Sequence, residues 1–179
     1  MVGVGGTGRS GSTTERALAA TMLAASSAGA STQVFDGAFL SRLPLFQPHV
    51  AARCAAAVEL LDAIVRADGV VVASPSYHGG VSALVKNALD YLEDLRSDRR
   101  PYLDGRAVGC IVTSAGAQSG GTTLCGLRSI VHALRGWPTP LGVTLVTSAP
   151  SAQYADQLSI MGRQVTSFAR LYSSQVVSR

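Results

Sequence analysis

Hydrophobic residues along this chain alternate between short, nearly continuous runs and longer segments in which they recur every three or four positions. Runs rich in Val are typical of strands buried on both faces, and the longer spacing is typical of helices. The pattern predicts five strands, at residues 2–5, 31–36, 69–74, 107–114 and 140–148. It predicts a helix after each of them, at residues 13–29, 51–68, 81–95, 122–136 and 151–174.

Strict alternation of strands and helices predicts a parallel sheet with helices on both faces, because right-handed crossovers place them there. Five strands favour the order 2-1-3-4-5 of an α/β, flavodoxin-like three-layer sandwich over the six-stranded dinucleotide fold. The length of 179 residues favours a single domain over residues 1–179. Ligands of such sheets bind at the carboxyl ends of the strands, so the loops after strands one, three and four should converge.

The first of these loops matches two nucleotide-binding patterns at once. Gly3, Gly5 and Gly8 spell G-x-G-x-x-G, and the same stretch resembles a P-loop in which Arg9 replaces the lysine. The buried strands end in Ser rather than in the Asp that a P-loop needs for Mg²⁺, which disfavours that interpretation. A dinucleotide site stays open as an alternative, because Asp36 ends the second strand where a ribose could be bound.

Hydroxyl side chains crowd the same loop around Arg9, at Thr7, Ser10, Ser12, Thr13 and Thr14. A helix N-terminus with hydroxyl donors and a guanidinium suits a terminal phosphate group, so the loop predicts a phosphate site. The alternative is simple helix capping by Ser12 or Thr13, with Glu15 or Arg16 in the first turn.

Three segments together carry a family resemblance: "GTGRSGSTTERAL", "SPSYHGGVSALVKNALDYLE" and "TSAGAQSGG". They resemble the NADPH-dependent FMN reductase family of flavodoxin-like proteins, whose first loop reads G-S-x-R-x-x-S. The more specific match is Pro75-x-Tyr77 followed by Lys86-Asn87-x-x-Asp90. Thr7 stands where the family usually has Ser, and Ser76-Tyr77-His78 stands where many relatives have Glu-Tyr-Asn.

The resemblance implies the site residues of an FMN-binding protein. Around the FMN phosphate it places Thr7, Arg9, Ser12 and Thr14, with Thr13 in the same loop. Along the flavin ring and the ribityl chain it places Pro75, Ser76, Tyr77, His78, Gly79 and Gly80. At the other edge of the ring it places Ser114, Gly116 and the segment Ser119-Gly120-Gly121. His78 is interpreted as packing or hydrogen-bonding beside the flavin, with acid–base catalysis as the alternative.

Composition narrows the partners and the compartment. The formal charge is +4, but the basic residues are scattered without an aromatic-lined stripe, which argues against nucleic-acid binding. The three cysteines form no C-x-x-C motif, which is typical of a reducing compartment. No signal peptide or membrane-spanning run is evident, so we expect a cytoplasmic protein that does not bind membranes.

The function expected from these features is that of an NAD(P)H-dependent oxidoreductase of the flavin reductase type. Its cofactors would be FMN and NADPH or NADH, and hydride transfer to FMN N5 requires no catalytic side chain. The acceptor would be free flavin, supplied to a partner monooxygenase, or a small molecule such as a quinone. A sequence pI of about 9.3 argues against an acidic flavodoxin. A flavin shuttle without nicotinamide reactivity is the alternative, and apolar helix faces favour a homodimer or homotetramer.

Overall fold

A computed structural model describes residues 1–177, in which five strands form one parallel sheet. In chain order they are β1 (Val2–Gly5), β2 (Gln33–Phe35), β3 (Gly69–Tyr77), β5 (Ala107–Ser114) and β6 (Trp137–Val146), while β4 (Gly80–Val81) pairs antiparallel with β3 alone. The parallel strands lie in the order β2-β1-β3-β5-β6. This is the predicted order 2-1-3-4-5, so that prediction is confirmed.

Helices cover both faces of the sheet. They are α1 (Thr13–Ser27), α2 (Gly37–Leu40), α3 (Ala55–Arg66), α4 (Ala83–Asp90), α5 (Ala117–Ala133) and α6 (Ala155–Val177). On one face, α1 and α6 bury Leu18, Met22 and Met161 against the central strands. On the other face, α3, α4 and α5 bury residues such as Leu60, Leu89 and Leu127. The central strands are therefore covered on both sides, as their continuous apolar runs require.

The third strand is longer than predicted. It continues past residue 74 to Tyr77 because the chain turns back and pairs Ser76 with Val81 and Tyr77 with Gly80. The two turn residues have positive φ, 53° at His78 and 78° at Gly79. That geometry belongs to a two-residue hairpin turn whose twist matches the flanking strands. The apolar run ends before this hairpin, so strand periodicity could not show it.

Helix α5, which corresponds to the helix predicted at residues 122–136, begins earlier than predicted, at Ala117. The segment 119–121, expected as a loop because of its two glycines, therefore lies in the first turns of α5. A Cβ at Gly120 would lie 2.3 Å from the Thr144 Cγ2 and 2.6 Å from the Ser114 Oγ. The glycine lets the helix approach β5 and β6 closely, and this packing outweighs the low helix propensity of glycine.

Other boundaries also moved. Helix α3 starts at residue 55 and not at 51, α4 starts at residue 83 and gives way to a 3₁₀ turn at residues 91–95, and α6 follows a 3₁₀ turn at residues 151–154. Strand β6 begins at residue 137, three residues early, at an edge of the sheet where the missing N–H groups of its prolines are tolerated. Helix α2 was not predicted, and Asp36 caps it by accepting a 2.8 Å hydrogen bond from the Phe39 N–H.

A buried arginine joins β5 to the end of α3. Arg106 is 1% exposed, and its guanidinium donates to the carbonyls of Val65 and Ala67 at 2.9 Å each. These are among the last carbonyls of α3, which have no partner within the helix. Burial lowers the pKa of Arg106 to about 10.

Candidate cofactor site at the carboxyl edge of the sheet

The first wall of the site is the turn between β1 and α1. Its glycines allow it to run tightly against the next strand: a Cβ at Gly5 would lie 2.1 Å from the Ala73 carbonyl oxygen. Ser12 caps α1, its Oγ accepting a 3.2 Å hydrogen bond from the Glu15 N–H. Capping by Ser12, the alternative to a phosphate site, is therefore present, and because its hydroxyl is the acceptor there, its proton remains available to a ligand.

Within this turn, Thr7 closes a local loop and Arg9 is left free. The Thr7 Oγ1 accepts from the Arg9 N–H at 3.1 Å and donates to the Arg9 carbonyl at 3.0 Å. Among residues 1–177, no ion pair or hydrogen bond involves the Arg9 guanidinium. An exposed guanidinium beside a helix N-terminus is well placed to bind an anion.

A buried pair of hydroxyls connects this turn to the neighbouring strand. The Oγ1 atoms of Thr14 and Thr113 lie 2.6 Å apart, and both side chains are at most 3% exposed. Thr14 belongs to the first turn of α1 and Thr113 to the end of β5, 99 residues later. The hydrogen bond therefore fixes the α1 terminus relative to the third loop.

The second wall is the end of β3. Pro75 and Ser76 face the site, and the Ser76 Oγ lies 2.7 Å from the Thr123 Oγ1 and donates to the Ser119 carbonyl at 3.1 Å. These contacts tie the strand to α5. Tyr77 is 57% exposed at the base of the hairpin, so one face of its ring is free to pack on a ligand.

The third wall is the short turn after β5. Ser114 is buried, and its Oγ donates to the Gly116 carbonyl at 2.8 Å. Gly116 then forms the N-cap of α5. Gly120, one turn further along, is buried behind Ser114, as described above, and does not border the cavity.

These walls enclose a cavity of about 390 Å³, within the range of ligand sites. Nine predicted residues line it: Thr7, Arg9, Ser12, Thr13, Thr14, Pro75, Ser76, Tyr77 and Ser114. Seven predicted residues do not: His78, Gly79, Gly80, Gly116, Ser119, Gly120 and Gly121. Four lining residues were not predicted: Gly8, Thr113, Ala115 and Thr147. Thr147 follows the last strand, so the rule of carboxyl ends would have found it had it been applied to that strand too.

A larger cavity of about 750 Å³ lies at the opposite edge of the sheet. It borders residues at the starts of strands, among them Val2, Gln33 and Asp68, and none of the motif residues. Ligands of open α/β sheets bind at the carboxyl ends of strands, and the smaller cavity is the one at that end. We therefore take the smaller cavity as the candidate site.

The lining of the candidate site suits a phosphate-bearing planar ligand. Of the residues that the structure describes, Arg9 is the one charged side chain in this lining, and none of them borders the cavity with a carboxylate. Hydroxyls and the start of α1 lie on one side, while Pro75, Tyr77 and Ala115 offer apolar surface on the other. Residues 1–177 contain no group of three or more His, Cys, Asp or Glu side chains placed to hold a metal ion. The charge and the hydrogen-bond donors of this lining fit FMN.

Solved structures identify the fold class. An oxidoreductase from Corynebacterium diphtheriae is 21% identical and superposes with a TM-score of 0.75 over 94% of this chain and 95% of its own. A flavodoxin, WrbA-like protein from Agrobacterium tumefaciens is 18% identical, with a TM-score of 0.68 over 96% and 98% of the two chains. A Streptococcus pneumoniae flavodoxin is 14% identical, with a TM-score of 0.64 over 93% and 97%. The fold is therefore flavodoxin-like, as predicted.

Sequence comparison then gives the family. Residues 1–150 match the NADPH-dependent FMN reductase family, and the chain belongs to it. It is 32% identical over 115 residues to an FMN-dependent NADPH-azoreductase of Staphylococcus haemolyticus, covering 64% of this chain and 57% of that protein. It is 30% identical over 120 residues to the protein of the same description from Staphylococcus aureus, covering 67% and 60%. The matched segment thus spans under two thirds of these relatives.

Proposed function

We propose that this protein binds FMN at the candidate site and acts as an NAD(P)H-dependent oxidoreductase of the flavin reductase type. The observation that carries the proposal is the convergence of three strand ends on one cavity, with a free guanidinium and a capped helix start at one side. Membership of the NADPH-dependent FMN reductase family supports both cofactors.

In this proposal the turn after β1 binds the phosphate of FMN. Arg9 supplies the positive charge, and the hydroxyls of Ser12 and Thr13 supply donors at the start of α1. The Thr7 hydroxyl already donates to the Arg9 carbonyl, so its contribution is to hold the turn. The Thr14 hydroxyl is already paired with Thr113, so its contribution is to hold the helix start in place. No carboxylate lines the cavity to repel the phosphate dianion.

The ring of FMN would lie between the ends of β3 and β5. Pro75 and Tyr77 provide apolar contact on one side, and Ser114 with the turn to Gly116 borders the other. His78 and Gly79 lie at the hairpin tip outside the cavity lining, so their contact with the ring remains part of the proposal. Gly120 would not contact FMN; because it has no Cβ, it leaves room for the Ser114 side chain that borders the ring.

Bound FMN would accept a hydride from NADPH or NADH and pass two electrons to an acceptor. The residues of this chain would bind and orient the two planar rings, and no side chain need act as an acid or base. The acceptor class is a quinone, free flavin or, as the names of the relatives suggest, an azo compound. A partner monooxygenase would be the consumer of reduced free flavin.

Assembly and compartment complete the proposal. We expect a homodimer or homotetramer and a single domain, with no nucleic-acid partner. Of the three cysteines, Cys54 and Cys125 are exposed and unpaired, which is consistent with a cytoplasmic protein. In residues 1–177, no helix has the length and apolarity needed to cross a membrane.

The experiment is a titration of the purified protein with FMN, followed by rapid mixing with NADPH. We expect a bound, yellow flavin whose visible absorbance bleaches on mixing. Arg9→Ala should weaken FMN binding by about 1–3 kcal/mol, the range for a charged hydrogen bond, while Arg163→Ala on α6 should leave it unchanged. Bound flavin that NADPH does not bleach would contradict the reductase and favour a flavin shuttle.

A further inference from the structure

An acidic side chain lies close to the proposed phosphate site. Glu15 lies in the first turn of α1, the helix start to which the proposed function assigns a phosphate dianion. A carboxylate near a dianion lowers its affinity. The dipole of α1 favours a carboxylate in this turn, and one contact gives it a further structural role: the Glu15 Oε2 accepts a 2.8 Å hydrogen bond from the Gly11 N–H.

The contact departs from the usual capping arrangement. Ser12 and Glu15 have the S-x-x-E spacing of a capping box, in which the glutamate accepts from the N–H of the capping residue itself. Here the carboxylate accepts from the residue before the cap. This bond fixes Gly11 within the turn at residues 10–11, which directly precedes the cap, and it does not occupy the Ser12 N–H.

Arg16 holds the other polar group of the same glycine. Its Nη1 donates to the Gly11 carbonyl, and its Nη2 donates to the Thr13 Oγ1 at 3.2 Å. Gly11 has a φ of +68° and no neighbour near the position of a Cβ, so packing does not hold it. A glycine of this kind is mobile unless hydrogen bonds fix it, and both of its backbone groups are fixed by α1.

We propose that Glu15 and Arg16 are positioning residues that hold the Gly11 peptide groups, so that the turn before α1 keeps one conformation in which the start of the helix faces the phosphate of the flavin. The inference rests on the proposed function. The two side chains add no net charge, so Arg9 remains the net positive charge of the loop. A loop formed before the ligand arrives loses less entropy on binding, which offsets the repulsion from Glu15.

The test compares two flavins and two substitutions of one residue. Dissociation constants are measured for FMN and for riboflavin, which lacks the phosphate, by fluorescence titration of the full-length protein. Glu15→Ala removes the acceptor and should raise the constant for FMN roughly three- to ten-fold, with that for riboflavin unchanged. Glu15→Gln keeps an acceptor and should bind FMN as the wild type does, or more tightly.

A variant of Arg16 and a measurement on the flavin-free protein test the inference without relying on the Glu15 substitutions alone. Arg16→Met should also weaken FMN selectively, whereas Arg163→Met, the same loss of charge on α6, should not. Amide hydrogen exchange in the flavin-free protein should show a protected Gly11 N–H in the wild type and in Glu15→Gln. The same amide should exchange faster in Glu15→Ala.

Three results would overturn the inference. One is tighter FMN binding in Glu15→Ala, which would mean that charge repulsion alone governs the residue. Another is equal weakening of both flavins, and the third is an unprotected Gly11 amide in the wild type. A wild-type protein that binds no FMN would instead contradict the proposed function, while the exchange measurement would still decide whether the Gly11 contacts exist.

Discussion

Replacing Gly120 with alanine tests whether this residue shapes the site from behind. The new Cβ would lie 2.3 Å from the Thr144 Cγ2 and 2.6 Å from the Ser114 Oγ, both far inside van der Waals contact. Forcing an extra carbon into a packed contact costs about 1–3 kcal/mol. The higher helix propensity of alanine offsets up to about 1 kcal/mol of this loss in stability. We therefore expect Gly120→Ala to lower the free energy of unfolding by about 1–2 kcal/mol.

The neighbouring glycine is the matched control. Gly121 lies in the same helix, is exposed, and has no atom within 4 Å of the position of a Cβ. Gly121→Ala should therefore raise the free energy of unfolding, by about 0.5 kcal/mol. Urea unfolding of both variants, followed by circular dichroism, measures the two changes, which should have opposite signs.

The result that refutes this reasoning is a Gly120→Ala protein at least as stable as Gly121→Ala. FMN titration adds a second readout. Because Ser114 borders the cavity and must shift, Gly120→Ala should weaken FMN binding together with stability. Weaker binding at unchanged stability would instead mean that Gly120 contacts the ligand directly.

Three further predictions follow from buried or constrained groups. Arg106→Met should cost about 3 kcal/mol in urea unfolding, because it leaves buried backbone carbonyls without their donor. Burial raises the pKa of Cys110 to about 12, so a thiol reagent at pH 8 should modify the exposed Cys54 and Cys125 in the native protein and Cys110 only after denaturation. Gly79→Ala should lower the free energy of unfolding by about 1 kcal/mol, because its φ of +78° is unfavourable for alanine, and the same urea assay measures it.

The strand order could be predicted because periodicity and alternation depend on local sequence, and the handedness of crossovers then determines the topology. The boundaries that failed are those set by tertiary contacts. The hairpin after β3 depends on pairing between Ser76 and Val81, and the early start of α5 depends on Gly120 packing against Ser114 and Thr144. Neither contact leaves a periodic signal in the sequence.

Lining residues that belong to a sequence motif were predicted. Lining residues that only the three-dimensional fold brings to the cavity were missed. Arg9 and Ser12 stand out because charge and hydroxyls gather in one short loop. Thr113 gives no such signal: it ends an apolar strand, and its partner Thr14 is 99 residues away. Asp36, considered as a ribose ligand, instead accepts from the Phe39 N–H as a helix cap, a use that short polar side chains commonly serve.

The carboxyl edge of the sheet is held together mainly by neutral hydroxyl contacts. Thr14 with Thr113 joins α1 to β5, and Ser76 with Thr123 joins β3 to α5. Such contacts position loops without adding charge to the site, which leaves Arg9 as the charged side chain in the lining. FMN and a nicotinamide dinucleotide both carry phosphate groups, so a carboxylate used for the same structural purpose would oppose both ligands. Glu15 is an exception, because its carboxylate holds the Gly11 N–H, and Arg16, which holds the carbonyl of the same glycine, supplies the compensating positive charge.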